Sequence, residues 1–247
     1  MDIIEQLSPF DWSIQEVDEK HREIKPICVL ENGAVYQGEW LAAGGGESQK
    51  DGRGVQIWPD GSRYDGFWRD GMANGYGRLV HAEGDVYEGM WKEDQAHGHG
   101  VYQHYNGNRY EGQWFVDKQH GFGVEQWPDG AKYDGQYEQG MKHGRGKFIW
   151  SDQSTYDGDF FQNNIHGEGE YRWADGRVYS GQWVDNKMEG HGTFTWSDGR
   201  RYVGSYQNDQ KHGQGTFEWP DGRKYIGEWS QGKQHGKGVY IKEGKKR

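Results

Sequence analysis

Six histidines stand in register along this chain. His97, His120, His143 and His166 follow one another at 23-residue steps, as do His212 and His235, with Glu189 in the intervening register. Imidazoles and a carboxylate are metal-ligand types. If each step holds two strands, however, successive histidines lie about 10 Å apart along the stack, whereas zinc draws its ligands to ~2 Å. The ladder reads as turn or loop packing rather than one metal site. The carboxylates give the same answer: Asp60, Asp129, Asp175, Asp198 and Asp221 all precede a glycine in one repeated position, which marks a turn former rather than a general acid. The recurring Gly-x-Gly pairs lack the strand-turn-helix context of a phosphate-binding loop. Serine and threonine show no nucleophile-elbow setting. Cys28, the single cysteine, sits in the apolar run Ile27-Cys28-Val29-Leu30 and reads as a buried strand residue. The residues therefore predict no catalytic, metal or cofactor site.

The elements that hold these residues follow from the repeat. Tyr-x-Gly begins at Tyr64, Tyr87, Tyr110, Tyr133, Tyr156, Tyr179, Tyr202 and Tyr225, always 23 residues apart, with a further copy at Tyr36. The five extra residues of that copy fall at the Gly44-Gly45-Gly46 loop. In the unit from Tyr110, Tyr110-Glu111-Gly112-Gln113-Trp114 alternates large, polar and small, as a strand does. A polar loop, Phe115 to Gln119, is expected next, then a second strand from His120 to Trp127. An Asp-Gly turn closes the unit. The chain is thus predicted to be all-β, a long antiparallel meander. One face carries aromatics and glycines together, the other is polar. An aromatic ring lying over a glycine offsets the conformational entropy that glycine costs in a strand.

Residues 1–26 lie outside the repeat. Ser13 and Glu16 form a capping-box pattern, and Ile14, Val17 and Ile24 mark a stripe, so a short amphipathic N-terminal helix docked on the first repeats is expected. The array is placed at 27–247: a half-unit at 27–35 and nine repeats from Tyr36. Of 247 residues, 42 are glycine and 15% are aromatic, which excludes an ordinary aliphatic core. No apolar stretch is long enough to span a membrane as a helix. Met1-Asp2-Ile3-Ile4-Glu5 does not read as a secretory leader. With one cysteine, a cytoplasmic setting is expected. The net charge of −10 argues against nucleic acid. Residues 200–247 nevertheless hold 11 Lys/Arg against 5 Asp/Glu, whereas the rest holds 18 against 34. Arg200, Arg201, Arg223 and Lys224 flank two turns, and Lys242, Lys245, Lys246 and Arg247 extend the charge. Together they form a candidate anion-binding pole for an acidic tail or phospholipid headgroups.

The unit Tyr-x-Gly-x-Trp…His-Gly-x-Gly-x-Phe-x-Trp-x-Asp-Gly resembles the MORN repeat (membrane occupation and recognition nexus), over residues 36–247. Departures are local: Ala73-Asn74, Met188-Glu189, Gln153-Ser154 and Lys242 replace the usual residues. The resemblance implies an elongated, single-layered, twisted antiparallel sheet of about nine β-hairpin repeats. It also implies a non-enzymatic scaffold, in a cytoskeletal setting such as a cilium or flagellum axoneme. On that reading an aromatic groove, with Trp68, Trp91, Trp114, Tyr137, Trp183, Tyr206 and Trp229 as contacts, takes an extended or helical segment of a partner protein. The rival readings are a peripheral membrane protein binding anionic phospholipids and a regulatory subunit of an enzyme. Homodimerisation through terminal repeats is a further expectation from the resemblance.

Overall fold

The computed structural model describes residues 7–42 and 47–242. The Gly44–Gly46 loop and the predicted pole residues Lys245, Lys246 and Arg247 lie outside the described residues. The chain forms two compact units, 1–128 and 129–247. The first holds β1 (Glu23–Ile24), β2 (Cys28–Val29), β3 (Val35–Leu41), β4 (Gln49–Ile57), β5 (Arg63–Arg69), β6 (Met72–Val80), β7 (Val86–Lys92), β8 (Gln95–Gln103), β9 (Arg109–Phe115) and β10 (Lys118–Gln126). The second holds β11 (Lys132–Glu138), β12 (Met141–Ile149), β13 (Thr155–Phe161), β14 (Asn164–Arg172), β15 (Val178–Val184), β16 (Lys187–Thr195), β17 (Arg201–Gln207), β18 (Gln210–Glu218), β19 (Arg223–Ser230) and β20 (Lys233–Lys242). Within each unit consecutive strands pair antiparallel, from β3 to β10 and from β11 to β20. β1 and β2 both pair with β3, end to end along one edge.

Two kinds of turn alternate. The expected polar loop after Phe115 is only two residues, Val116 and Asp117, both at positive φ (50° and 60°). That geometry matches the twist of a tight hairpin. Asp117 also ties neighbouring repeats together: its carboxylate accepts the Ala96 N–H at 2.7 Å, and its own N–H donates to Ala96 O at 3.1 Å. Asp209 does the same with Met188, at 2.7 and 3.0 Å. The second kind of turn is the expected Asp-Gly turn. Trp196 N donates to Arg200 O at 2.9 Å, and the Asp198 carboxylate takes the Arg200 N–H at 3.1 Å.

The core is one layer of rings over glycines. Tyr202 is fully buried and lies over Gly204 and Gly215, which face each other across β17 and β18. Its hydroxyl donates to Ser205 O at 3.0 Å. Within each unit, a tyrosine followed by another repeat is held edge-on between its own repeat's second ring and the next repeat's. Tyr87 meets Trp91 at 5.0 Å and Trp114 at 5.2 Å, both near perpendicular. Such pairs contribute about 0.5–1.5 kcal/mol each beyond buried area.

The second strand of each hairpin carries a bulge. Between β9 and β10 the register jumps from Gln119↔Trp114 to Gly123↔Gly112, so three residues face Gln113. The Gln113 carboxamide accepts the Phe122 N–H at 2.9 Å. Gln136 and Gln182 cap their bulges the same way, each at 2.8 Å.

The expected N-terminal helix is absent. Residues 7–22 form an irregular strap without α-helix, and Glu23–Ile24 is a strand. Ser13 does not cap a helix; its N–H and hydroxyl both donate to the Asp11 carboxylate, at 2.9 and 2.7 Å. Ile14 and Ile24 are 51% and 80% exposed and only Val17 of the stripe is half-buried, so the three do not form one packed face. The physical reason is length: a helix of about eleven residues is marginal alone, and this segment finds better partners extended. Phe10 packs on Tyr76 at 6.0 Å and Trp12 on Phe67 at 6.1 Å, on the face opposite the tyrosines. Arg78 donates to Ser8 O at 2.7 Å. The β5–β6 hairpin has Phe67 where others have a capping glutamine, and Gln15 of the strap supplies the missing cap, accepting the Tyr76 N–H at 2.8 Å.

Candidate interaction surface

The predicted groove residues form a floor rather than a rim. Trp68, Trp91, Tyr137, Trp183, Tyr206 and Trp229 are buried, and Trp114 is half-buried. Their indoles are occupied as well. Trp68, Trp91, Trp114, Trp183 and Trp229 donate Nε1–H to the carbonyls of Gly54, Gly77, Gly100, Gly169 and Gly215 in the preceding repeat, at 3.0–3.3 Å. Their sequence signal is the recurrence of large rings at one register. The tyrosine stacks and glycine carbonyls explain why that register faces inward.

The more accessible rings belong to a different row, which the sequence pattern marks only as part of the aromatic face. In the second unit Phe148, Trp150, Tyr171, Trp173, Phe194, Trp196, Phe217, Trp219 and Tyr240 follow one another with centroids 4.5–6.3 Å apart. The four tryptophans of this ribbon are half-buried, each with part of its surface open to solvent. Trp173, Trp196 and Trp219 sit at Asp-Gly turns and Trp150 at the equivalent Asp152-Gln153 turn, and the rings between them come from the second strands. Arg177, Arg200 and Arg223 lie over Trp173, Trp196 and Trp219 at 5.2, 5.5 and 5.4 Å. In the first unit Gln56, Leu79 and Glu125 occupy three of the four equivalent strand positions, and no such ribbon forms there.

Two cavities open on the aromatic face at equivalent registers. One of about 340 Å³ in the first unit is lined by Lys50, Trp58, Trp68, Ala73, Leu79 and Asp94, among others. One of about 230 Å³ in the second is lined by Met188, Phe194, Trp196, Tyr206, Asp209 and Lys211, among others. Each contains an ammonium group. Lys50 lies 3.7 Å from the Trp68 ring centre and donates to Gln56 Oε1 at 2.8 Å. Burial pulls its pKa down to about 8. Lys211 is likewise lowered, by burial and then by the nearby Arg200.

The described members of the predicted anion-binding pole sit at the second unit's far end, and four of them have carboxylate neighbours. Arg200 pairs with Asp198 and Arg223 with Asp221, both at 2.7 Å. Arg201 and Lys224 share Glu218, at 3.8 and 3.0 Å. Four cations thus face three carboxylates, which leaves little free charge on this margin. Lys242 is exposed on β20. The histidine ladder packs as aromatic surface: His97 and His120 flank Phe115 at 5.3 and 5.7 Å, and His143 and His166 flank Phe161 at 5.2 and 5.7 Å. Among the described residues no three His, Cys, Asp or Glu groups could hold a metal ion.

A family profile for the MORN repeat matches nine segments: 47–63, 64–86, 87–109, 110–132, 133–155, 156–176, 179–200, 202–222 and 225–244. The chain belongs to the MORN repeat family. Among curated proteins it is similar to Alsin of Homo sapiens and of Mus musculus, 46% identical over 44 residues. That stretch is 18% of this chain and 2% of Alsin, so the MORN chain spans a small fraction of the length of these relatives. Among solved structures it is similar to the TCP10 domain of Danio rerio CPAP in complex with a STIL peptide. That likeness has a TM-score of 0.44 and 14% identity, over 82% of this chain and 83% of that one. It is also similar to the CPAP G-box domain, with a TM-score of 0.47 and 16% identity, over 78% and 100%.

Proposed function

We propose that this MORN-repeat chain is a non-enzymatic scaffold that binds an extended segment of a partner protein along the aromatic ribbon of its second unit. The observation that carries the reading is the run of nine neighbouring rings, with half-buried tryptophans at its turns and Phe194 and Phe217 buried between them. A partly solvent-facing aromatic row of this length suits main-chain and side-chain packing of an extended peptide. It exceeds what the fold needs, since the tyrosine-glycine layer beneath already forms the core. A cytoskeletal site, at a cilium or flagellum, is proposed from the family resemblance of a chain made mostly of repeats, and proximity labelling in the native cell tests it.

The binding test is panning of a displayed peptide library on the full chain and on a Trp173→Ala, Trp196→Ala variant. Both tryptophans lie at turns, so the variant is expected to stay folded by circular dichroism. Selected peptides should lose at least tenfold in affinity for it. Equal affinity of a folded variant removes the ribbon from the proposal.

A further inference from the structure

We infer that the Lys211 cavity receives a carboxylate side chain of the bound segment, so that the partner of the second unit is an acidic peptide. This inference rests on the ribbon reading above and names the chemistry of its ligand.

The argument starts from what surrounds Lys211. Its Nζ lies 5.0, 5.6, 5.3 and 5.1 Å from the ring centres of Trp196, Tyr202, Phe217 and Trp229. These rings attract a cation through their faces, but they accept none of the three N–H bonds an ammonium makes in water. Among the described residues Lys211 Nζ has no hydrogen-bond acceptor and no carboxylate within ion-pair distance, in contrast to Lys50, which reaches Gln56. Arg200, a second cation, lies 5.5 Å from the Trp196 ring centre and is itself engaged by Asp198, and the Asp209 carboxylate that also lines the cavity accepts the Met188 N–H rather than pairing with Lys211. Holding a half-buried ammonium among rings, with acceptors available only from the cavity's open side, is costly.

The fold does not require that cost. The same register holds Ala73, Ala96, Ile165 and Met188 in other repeats, Gln119 and Gln234 in two more, and lysine again at Lys50 and Lys142. An apolar residue therefore fills this position without a cation. A lysine here is explained by a ligand that supplies the missing acceptors. A carboxylate does so through charge-assisted hydrogen bonds. Its short alkyl stem can rest on Trp196 while the flanking residues of the segment follow the ribbon. Arg177 and Arg223, over neighbouring tryptophans, are already engaged by Asp175 and Asp221, so among the described residues Lys211 is the cation over these rings that lacks a carboxylate partner.

The test uses the full chain with ¹³C-labelled lysine and a synthetic peptide of alternating Glu and Pro, which is extended and soluble. Its Gln-for-Glu counterpart is the control. The Lys211 signal is identified by its loss in Lys211→Met, a residue the register already accepts at Met188; Lys211→Gln serves if that variant misfolds. The Glu peptide should shift the Lys211 signal and raise its titration midpoint, because a nearby carboxylate favours the charged amine. Lys211→Met should bind it at least tenfold more weakly, with an unchanged or higher Tm. Affinity should fall as salt rises. Equal binding to Lys211→Met, or shifts confined to Lys224 and Lys242, overturns the inference. If library-selected peptides lacking acidic residues bind the ribbon and the Glu peptide does not, the acidic class is wrong while the ribbon reading stands. If neither perturbs this face, both fall.

Discussion

Among the described residues Val116 is the β-branched one held at positive φ. A β-branched side chain at φ 50° is unfavourable. It is tolerated because the adjoining Asp117 is bonded twice to Ala96 and fixes the turn. Asn208 occupies the same position in a later repeat, at φ 47°. Val116→Asn is therefore expected to raise stability by about 1 kcal/mol, read as a higher denaturant midpoint with unchanged slope. The glycines make the opposite case. A Cβ on Gly204 would stand 2.5 Å from Tyr202 Oη, 2.6 Å from Gly215 Cα and 2.7 Å from Gln214 O. Two of these are backbone atoms that cannot swing aside. Gly204→Ala should cost at least about 1–3 kcal/mol and lower Tm by several degrees, whereas Ser205→Ala beside it should be nearly neutral. A Gly204→Ala chain that melts with wild type would refute ring-over-glycine packing. That packing was legible in the sequence because tyrosine and glycine recur at fixed parity within one strand. The surroundings of Lys211 were not. Trp196 and Trp229 stand 15 residues before it and 18 after, and only the pairing of three hairpins brings them to one ammonium.

The strap shows an element whose local signals lose to tertiary contacts. Ser13 and Glu16 satisfy a helix-capping pattern, but Asp11 captures Ser13 first, and the apolar residues that matter are Phe10 and Trp12 rather than the isoleucines. Nothing within residues 1–26 reveals that Phe67 leaves a bulge uncapped sixty residues away. The hairpins were legible from alternation and Asp-Gly. Their second turn was not, because neither Val116 nor Gln162 advertises positive φ. The strap's contribution can be isolated in a double-mutant cycle. Gln15→Ala should cost about 1 kcal/mol by orphaning the Tyr76 N–H. Phe67→Gln loses packing against Trp12, yet restores the cap that Gln113 and Gln136 provide in their own hairpins. Its cost should therefore be smaller in the Gln15→Ala background than in wild type, by several tenths of a kcal/mol or more. Strict additivity of the two changes would show that Gln15 does not act as the cap.

At the scale of the whole molecule, one buried tyrosine per repeat makes the fold a sum of phenols that must stay protonated. Tyr36, Tyr64, Tyr87, Tyr110, Tyr156, Tyr179 and Tyr202 all donate their hydroxyl to the carbonyl three residues on, at 2.9–3.1 Å. Burial pushes each of them up, Tyr202 to about 12. An unfolded tyrosine ionises near pH 10. Above that pH the unfolded chain binds fewer protons than the folded one, so stability falls as pH rises. The stabilisation is fully present below about pH 10 and is lost as pH passes through the folded values. The buried lysines act in the other direction. Lys50 titrates at about 8 when folded and near 10.4 when unfolded. Between those values the unfolded chain binds more protons, and its contribution grows with pH. The expected profile is a shallow rise in Tm from about pH 8 to 10, then a steep fall that several repeats share. Lys50→Met should flatten the rise and leave the fall unchanged. Absorbance should show the tyrosines of the folded array ionising together with loss of the β-sheet circular dichroism signal, rather than near pH 10. A Tm that stays level to pH 12, or a smooth titration of all tyrosines around pH 10 with the sheet intact, would mean that the phenols are not sealed beneath the neighbouring rings.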